Sequence, residues 1–361
     1  REKMSLRGFI KKRLSAGFCL ETEFEAAGDC LGILGASGSG KTMTLKCVAG
    51  IETPDEGYLS VNGRVLFDSS KKINLRPQDR RVGYLFQNYA LFPRMTVKEN
   101  ILVGLPRPGR EEKARSWIET MELTGLEDRL PSQLSGGQQQ RAALARILVR
   151  DPEVLLLDEP FSALDSGLRE QMQLLLLDLI RRDSPFRGEK PPPDVIMVTH
   201  SRDEAYKICD SVLVMENGRI LGRGRTRELF ANPRSLQVAR ITGCKNISPI
   251  RRLGDCEVFA LNWGLRLTLP RTVPEDITHV GIRAHDFLPL YTEAGEEPNR
   301  IRLRVSRRSE EPFEEVVLFT NAAAASPEEQ NEIWWKFSKY LGLRELPQAL
   351  YVPPEAVLLL K

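Results

Sequence analysis

Apolar and polar residues alternate near the start of the chain, in FCLETEFEAAG from Phe18 to Gly28. This period of two predicts a strand with one buried face. The apolar run CLGILG follows and predicts a strand that is buried on both faces. Two later pairs of alternating segments are separated by the dipeptides Asn62-Gly63 and Asn217-Gly218, which predict two β-hairpins.

The pattern changes to a helical period between about residues 93 and 150, in REEKARSWIETMEL and QQQRAALARILVR. Beyond it, the short apolar runs EVLLLDEP and DVIMVTH flank a long helical segment, SGLREQMQLLLLDLIRR. Strands that alternate with helices predict an α/β fold with a mainly parallel sheet covered on both faces. The segment GEKPPPD is predicted to be a surface loop, because successive prolines disfavour both helix and sheet.

The last third of the chain has a different pattern, with short alternating runs separated by turn residues. Examples are EVFALNWGLRLTLP, THVGIRAHDFLPLY, RIRLRVSRR, EEVVLFT and LYVPPEAVLLL. Runs of this length predict a separate small β-barrel or sandwich over residues 238–361. The polar segment NAAAASPEEQNEIWWKF is predicted to include one short helix.

Composition narrows the function classes only slightly. The 361 residues carry a formal charge of +3, which is too small to indicate a nucleic-acid partner by itself. The six cysteines show no Cys-x-x-Cys spacing, which predicts free thiols in a reducing cytoplasm rather than a disulfide framework or a zinc site.

No apolar run reaches the roughly 18 residues of a membrane helix, and the first residues lack a signal-peptide core. Any role at a membrane would therefore need a partner. Arg1–Lys3 precede Met4 and are interpreted as an expression remnant or a start-site error.

The stretch GASGSGKT, Gly35 to Thr42, matches G-x-x-x-x-G-K-[ST] and lies between a predicted strand and a predicted helix. Its glycines let the backbone curl so that N–H groups face phosphates, and the helix N-terminus adds positive potential. Lys41 is predicted to reach the terminal phosphates of a nucleotide, and the Thr42 hydroxyl to bind Mg²⁺. The predicted nucleotide-binding residues of this segment are Gly35, Ala36, Ser37, Gly38, Ser39, Gly40, Lys41, Thr42 and Thr44.

Four polar residues follow predicted strands and are expected at the same sheet edge as this loop. Asp158 ends the run VLLLD, where a carboxylate can hold a magnesium-bound water beside Thr42 and so contribute to the metal site. Glu159 is predicted to polarise the attacking water as a general base. His200 is expected to hydrogen-bond the γ-phosphate, and Gln87 to contact both Mg²⁺ and the water.

A second pair of glycines, Gly136 and Gly137, stands in LSGGQQQR. Ser135 is predicted to cap a helix here, so that backbone N–H groups and the helix dipole face an anion. The phosphate loop already surrounds one side of a nucleotide. This second anion-binding segment is therefore interpreted as closing over the nucleotide of a neighbouring copy. Two chains would then bury two ATP molecules at a C₂ interface.

These motifs together resemble those of the ATP-binding subunits of ABC transporters. GASGSGKT, LFQNYALFP, LSGGQQQR, VLLLDEP, SALD and IMVTH occur in that family's order, and the resemblance covers residues from about Cys19 to Gln237. It implies a P-loop NTPase cassette over residues 1–237, with a parallel-sheet core, an antiparallel β subdomain and a helical subdomain at about 93–150. ATP and Mg²⁺ are the implied cofactors.

The resemblance also implies residue roles. Gln87 would belong to the loop that couples to the permease, and His200 would act as the γ-phosphate switch. Phe18 stands where the family has an aromatic side chain that stacks on adenine, with a core role as the alternative. The residues implied to contact the partner's ATP or to connect the two copies are Ser135, Gly136, Gly137, Gln138 and Asp165.

The chain has one phosphate loop, one LSGGQQQR segment, which is the family's signature sequence, and no predicted membrane helix. This combination resembles a separate importer subunit. It would form a homodimer on two permease chains at the cytoplasmic face of the plasma membrane and serve a substrate-binding protein indirectly. Residues 238–361 resemble the OB-like regulatory domain of importer ATPases, and GCKNIS, GIRAHDF and LYVPPEAVLLL are most like the molybdate/tungstate and sulfate subunits. Molybdate or tungstate is the first predicted cargo. Sulfate or thiosulfate, iron and polyamines are alternatives, as is a soluble ATPase without a transport role.

The segment TGCKNIS is a hypothetical oxyanion site in this domain, since it offers hydroxyls, Lys245 and backbone N–H groups. The alternative is that Asn246 and Ser248 form a turn. A nucleic-acid role is not predicted, because RIRLRVSRR is basic but lacks interleaved aromatic residues. The side chains His279, His285, Trp263, Trp334 and Trp335 are interpreted as packing or surface residues.

Overall fold

The computed structural model describes most of the chain, in segments separated by short gaps. The described residues are 6–14, 17–26, 30–103, 105, 109–180, 193–291, 298–324, 331–341 and 345–361. Residues 1–3, residues 188–192 of the predicted proline loop and residues 325–330 of the predicted short helix lie outside them.

The chain divides into two compact units, residues 1–227 and 228–361. The division thus falls before the sequence-based boundary at Gln237. Residues after 227 join the second unit because Leu236 N–H donates to Lys361 O at 3.2 Å, and Ala239 packs against Leu358 and Leu360.

The first unit contains one eleven-stranded sheet in the order β6-β5-β4-β1-β2-β11-β10-β3-β9-β8-β7. Its strands are β1 (Leu6–Arg13), β2 (Cys19–Ala26), β3 (Cys30–Leu34), β4 (Glu56–Val61), β5 (Arg64–Asp68), β6 (Ile73–Asn74), β7 (Val82–Leu85), β8 (Val154–Asp158), β9 (Asp194–Thr199), β10 (Ser211–Glu216) and β11 (Arg219–Arg225). Strands β10, β3, β9, β8 and β7 run parallel to their neighbours in this series, whereas β1, β2, β4, β5 and β6 form antiparallel pairs. The predicted parallel core and antiparallel β subdomain are therefore confirmed.

The helices of this unit cover the parallel part of the sheet. They are α1 (Lys41–Ala49), α2 (Val97–Leu102), α3 (Arg110–Thr120), α4 (Gly136–Leu148), α5 (Ser166–Ile180) and α6 (Arg202–Ile208), and α7 (Thr226–Ala231) lies at the division between the units. On β8, Leu155 and Leu157 pack in the cluster that contains α2 to α5, whereas Val154 and Leu156 pack in the cluster that contains α1. Burial on both faces explains why this strand is a continuous apolar run.

Both predicted hairpins are present. Asn62 and Gly63 have φ values of 51° and 78° between β4 and β5, and Asn217 and Gly218 have 49° and 79° between β10 and β11. Positive φ at both central residues is what a type I′ turn requires, and it selects Asn-Gly.

The described residues of the second unit include the end of α7, helix α8 and two five-stranded sheets that pack around an apolar core. Its elements are α8 (Leu236–Ile241), β12 (Asn246–Arg252), β13 (Glu257–Ala260), β14 (Leu265–Thr268), β15 (His279–Ile282), β16 (Leu288–Leu290), β17 (Arg300–Glu310), β18 (Glu314–Asn321), β19 (Ile333–Ser338), β20 (Ala349–Tyr351) and β21 (Leu358–Leu360). The order is β14-β13-β12-β15-β21 in one sheet and β16-β20-β17-β18-β19 in the other. In the described part of the segment predicted to include a short helix, Asn321 ends β18, turns follow, and Ile333–Phe337 lie in β19, while residues 325–330 lie outside the described residues.

Asparagine side chains link these two sheets. The Asn246 amide on β12 donates to Trp334 O at 2.8 Å and accepts from Trp334 N–H at 2.7 Å on β19. The Asn321 amide on β18 donates to Trp263 O at 3.2 Å and to Gly264 O at 3.1 Å, just before β14. Because each amide supplies backbone groups with partners that a neighbouring strand would provide, the two sheets close around the core.

Of the three tryptophans interpreted as packing or surface residues, Trp263 and Trp335 pack in this core and are each 1% exposed. His285 forms an exposed pair with Glu314 at 3.1 Å. Among the described residues, no helix is both long enough and apolar enough to cross a lipid bilayer.

Candidate functional site

The phosphate loop connects β3 to α1 at the carboxyl end of the parallel sheet. Gly38 and Gly40 have φ values of 78° and 105°, which side chains other than glycine rarely adopt. A Cβ on Gly35 would lie 2.2 Å from Met215 O on β10. The tight turn therefore needs these glycines, and the sequence placed them correctly between a strand and a helix.

Lys41 begins α1 and is only 5% exposed. Its Nζ donates to Gly35 O at 2.9 Å and to Ala36 O at 2.8 Å, so the ammonium lies within the curve of the loop. Burial lowers the pKa of Lys41, and the nearby carboxylates of Glu159 and Asp158 oppose that shift. The loop thus combines a positive charge with the positive end of a helix, which suits a phosphate.

Two hydroxyls of the predicted nucleotide-binding set are buried. The Thr44 hydroxyl donates to Gly40 O at 3.1 Å, and Thr44 is fully buried. It therefore stabilises the first turn of α1. Ser39 Oγ is also buried, and it has no hydrogen-bond partner among the described residues. Ala36, Ser37 and Gly38 are exposed.

Asp158 ends β8, and its carboxylate accepts hydrogen bonds from residues of α1 and β7. Thr42 Oγ1 donates to its Oδ1 at 2.8 Å, and Tyr84 OH on β7 donates to its Oδ2 at 2.9 Å. Burial and the adjacent Asp158 carboxylate raise the pKa of Tyr84 far above its usual range, so this phenol remains a donor. Carboxylate and hydroxyl oxygens side by side are the ligands that Mg²⁺ prefers, so Thr42 and Asp158 fit the predicted metal site.

Glu159 follows Asp158 and adopts a strained backbone conformation, with φ at 46°. Its side chain is 19% exposed and contacts His200 Nδ1 through Oε2 at 3.3 Å. Gln87 Nε2 lies 3.5 Å from the same oxygen and 3.5 Å from Ser162 Oγ. Non-glycine residues at positive φ persist where the surrounding structure holds them, and functional sites are enriched in them.

The structure therefore brings Gln87, Glu159 and His200 together, as expected for residues that follow β7, β8 and β9. A cavity of about 420 Å³ opens beside Glu159 and His200, and Ser162 and Arg169 also line it. Two residues of this site were not among the site residues predicted from the sequence. Tyr84 is one, because only the β7–β8 pairing places it beside Asp158, and Ser162 is the other.

The second glycine pair begins α4, as predicted. Ser135 Oγ accepts from Gln138 N–H at 3.3 Å, and Gln138 Oε1 accepts from Ser135 N–H at 3.0 Å. This reciprocal cap stabilises the helix start, and it gives Gln138 a local structural role besides the contact predicted for it. A Cβ on Gly137 would lie 3.2 Å from Leu168 Cδ2, so the small residue permits close packing on α5.

Asp165 and Phe18 also have contacts within the chain. Asp165 Oδ1 accepts from Leu168 N–H at 3.0 Å near the start of α5. Phe18 is half-buried and packs against the cluster that contains α1, and a Cβ on Gly40 would lie 3.4 Å from its Cζ. The ring thus lies beside the phosphate loop. Stacking on adenine stays a prediction.

The hydroxyl and amide side chains of the segment TGCKNIS have protein partners. The Thr242 hydroxyl donates to Val238 O at 2.9 Å, and the Asn246 amide pairs with Trp334 as described above. Ser248 Oγ donates to Pro249 O and accepts from Asn262 N–H, both at 2.9 Å. Lys245 Nζ lies 3.8 Å from the centre of the Trp334 ring. Asn246 and Ser248 belong to β12 rather than to a turn, and this segment stabilises the domain.

A phosphate loop on a parallel sheet, with Asp158 and Glu159 at the neighbouring strand end, defines a P-loop nucleotide-binding protein. Residues 24–162 match the family model described as ABC transporter. The chain is 38% identical over 274 residues to the sulfate/thiosulfate import ATP-binding protein of Synechococcus elongatus, which covers 70% of this chain and 76% of that protein. The chain belongs to the ABC transporter family of ATP-binding proteins.

Other relatives extend this result. The chain is 44% identical over 225 residues to the spermidine/putrescine import ATP-binding protein of Oleidesulfovibrio alaskensis, a match that spans 61% of this chain and 57% of that protein. A dimeric ATP-binding cassette, solved in a post-hydrolysis state with ADP and Pi, superposes with a TM-score of 0.51 at 27% identity. That match covers 62% of this chain and 99% of the solved one.

Proposed function

We propose that this chain hydrolyses ATP to energise the import of a small solute through separate permease subunits. The observation that carries the proposal is the position of Glu159. It follows Asp158, which binds Thr42, and its carboxylate contacts the side chains of Gln87 and His200. The phosphate loop and Lys41 would bind the phosphates of ATP. Glu159 would take a proton from the attacking water, and His200 would contact the γ-phosphate.

Thr42 and Asp158, with Gln87 nearby, would hold Mg²⁺. The bound ion would neutralise phosphate charge during the transfer. The chain's own contribution is orientation: Tyr84 fixes one oxygen of Asp158, while Thr42 contacts the other. An aligned carboxylate loses less entropy on binding a metal than a free one does.

Replacing Tyr84 with phenylalanine tests this orienting contact. The Mg²⁺ concentration that gives half-maximal ATPase activity is expected to rise about tenfold, since outer partners of metal ligands are worth ~10- to 100-fold in affinity or activity. Titration of Mg²⁺ at saturating ATP measures the effect. Tyr58→Phe is the control, because Tyr58 is 40% exposed on β4. An unchanged Mg²⁺ requirement in Tyr84→Phe would show that the phenol does not orient Asp158.

The signature sequence at the start of α4 supports a homodimer in which each copy closes over the ATP of the other. Helix α4 is capped by Ser135, and the backbone N–H groups of its first turn suit a phosphate. The similarity to a cassette solved as a dimer with ADP and Pi is in keeping with this arrangement. Phe18 would stack on the adenine, and Asp165 would contribute to contacts between the copies.

A groove of about 1050 Å³ supports a permease contact on the first unit. Phe86, Ala90, Phe92 and Val103 line it together with residues of α4, and Phe92 and Val103 are 45% and 51% exposed. Exposed apolar side chains in a groove are typical of a protein-binding surface. The permease would hold the chain at the cytoplasmic face of the membrane, and a substrate-binding protein would deliver the cargo from the other side.

The proposed cargo is an oxyanion, with molybdate or tungstate and sulfate or thiosulfate as the candidates. Relatives at 37% to 44% identity are named for polyamine, sulfate, iron and molybdenum import. The alignment with the sulfate/thiosulfate relative extends over 274 residues, against 225 for the polyamine and molybdenum relatives. The longer match favours sulfate or thiosulfate as cargo, whereas the molybdenum relative aligns over no more residues than the polyamine relative does.

The decisive experiment is copurification of the untagged chain with the membrane proteins encoded beside its gene. Reconstituted vesicles would then be assayed for ATP-dependent uptake of radiolabelled molybdate, tungstate, sulfate, spermidine and Fe³⁺. Uptake of an oxyanion alone supports the full proposal. Uptake of spermidine or Fe³⁺ instead retains the importer and replaces the cargo. ATPase activity without any membrane partner would contradict the transport role.

A further inference from the structure

The loop that follows Gln87 has two consecutive residues in the left-handed region. Tyr89 has φ at 60° and Ala90 at 45°. Both residues carry a Cβ, which disfavours this conformation. Tyr89 is 5% exposed, and its hydroxyl has no hydrogen-bond partner among the described residues. Something other than intrinsic preference must therefore hold this turn.

Arg146 of α4 contacts the turn directly. Its guanidinium donates from Nη1 to Ala90 O at 2.7 Å and from Nη2 to Tyr89 O at 3.0 Å. The same group lies 5.4 Å from the centre of the Phe92 ring. Burial lowers the pKa of Arg146, and within the described residues it forms no ion pair, so the two carbonyls are its principal polar partners. A planar fork of donors fits two neighbouring carbonyls, which a lysine could not match.

The same helix connects this contact to the rest of the site. Helix α4 begins at Gly136 in the signature sequence and carries Arg146 close to its end. At the other end of the loop, Gln87 Nε2 lies 3.5 Å from Glu159 Oε2. Because Gln87 and Tyr89 are separated by one residue, a change in the φ of Tyr89 or Ala90 would move the Gln87 amide away from Glu159.

We propose that Arg146 is a positioning residue, which holds the Tyr89–Ala90 turn in its left-handed conformation and thereby keeps Gln87 at Glu159. The proposal rests on the ATPase function proposed above. It also gives α4 two tasks, since one helix carries the signature at its start and fixes the Gln87 loop near its end. Displacement of α4 would then move Arg146 and, through the Tyr89–Ala90 turn, shift Gln87 relative to Glu159.

The test compares Arg146→Met with Lys113→Met in the full-length chain. Lys113 on α3 forms an exposed ion pair with Asp151, and among the described residues this is its side-chain ion pair rather than one with Gln87 or Glu159. We expect Arg146→Met to lower the kcat for ATP hydrolysis about tenfold or more, because a displacement of ~1 Å at a reacting group can cost ~100-fold. The KM for ATP should stay within about twofold, since the phosphate loop that binds ATP is unchanged. Lys113→Met should retain both values.

A second substitution separates positioning from a general loss of stability. Glycine adopts the left-handed conformation readily, so Ala90→Gly in the Arg146→Met background should recover part of the lost kcat. Arg146→Lys serves if Arg146→Met does not fold, and the same partial recovery is expected in that background. A kcat that remains at the wild-type value in Arg146→Met, or a loss that Ala90→Gly fails to reduce, overturns the proposal.

Amide hydrogen exchange of residues 86–93 gives a readout that is independent of activity. Faster exchange in Arg146→Met than in Lys113→Met supports the positioning role even if the wild-type chain proves to have no ATPase activity, in which case only the proposed function fails. Equal exchange in the two variants overturns the positioning role while leaving the proposed function intact.

Discussion

Replacing Glu159 with glutamine is expected to lower the rate of ATP hydrolysis by about 10²- to 10⁴-fold, the range that a positioned general base contributes. Glutamine preserves the shape of the side chain and can still contact Gln87 and His200, but it cannot take a proton from water. The backbone of Glu159 is strained, with φ at 46°, and such strain persists where the surrounding structure holds a residue in one conformation. Release of inorganic phosphate at saturating ATP and Mg²⁺ measures the loss.

The same variant should still bind ATP and should accumulate as an ATP-bound dimer. Binding of a fluorescent ATP analogue and light scattering in the presence of ATP and Mg²⁺ check these two results. Glu170→Gln is the matched control, because Glu170 is an exposed carboxylate on α5. Wild-type hydrolysis by Glu159→Gln would show that the general base is another group.

Replacing Arg80 with methionine is expected to destabilise the first unit by about 3 kcal/mol or more, since buried carbonyls that lose a partner cost ~1–3 kcal/mol each. Arg80 is fully buried. It donates to Cys47 O and Val48 O at the end of α1, both at 2.8 Å, to Leu75 O at 2.9 Å and to Asn74 Oδ1 at 2.8 Å. Methionine would fill much of the volume but satisfy none of these acceptors.

Scanning calorimetry of the full chain measures this loss, and the transition of the first unit is expected to fall by roughly 6–12 °C. Arg81→Met is the matched control. Arg81 is the next residue, its side chain is 71% exposed, and its ion pair with Glu153 at 2.9 Å is worth about 0–1 kcal/mol. Equal shifts in the two variants would mean that the four contacts of Arg80 contribute little. Because α1 begins at the phosphate loop, weaker ATP binding should accompany the destabilisation.

Local patterns in the sequence were sufficient to predict much of this molecule. Asn-Gly dipeptides located both hairpins, and the apolar run VLLLD located a strand that is buried on both faces. The rule that ligands gather at the carboxyl ends of parallel strands predicted that Gln87, Asp158, Glu159 and His200 lie at one edge of the sheet. These inferences succeeded because each depends on residues close together in the chain or on one general property of parallel sheets.

Other features depended on partners far apart in the chain. Tyr84 and Asp158 meet only through the pairing of β7 with β8, and Arg80 reaches the end of α1 from another segment. The segment TGCKNIS was interpreted as an anion site because its polar groups suit an anion in the sequence. In the folded domain, Trp334 and Asn262 supply the partners of Asn246 and Ser248.

By itself, the sequence determined the phosphate loop, the alternation of strands and helices, the family resemblance and the residues at the sheet edge. Only the tertiary structure decided which polar groups remain for chemistry and which are used to hold the fold. The physical reason is that a buried polar group must find a partner, and that partner can come from any part of the chain. Asn246 and Arg146 are polar in the same sequence sense as Glu159, and only the fold shows that their side chains bind backbone groups of other segments.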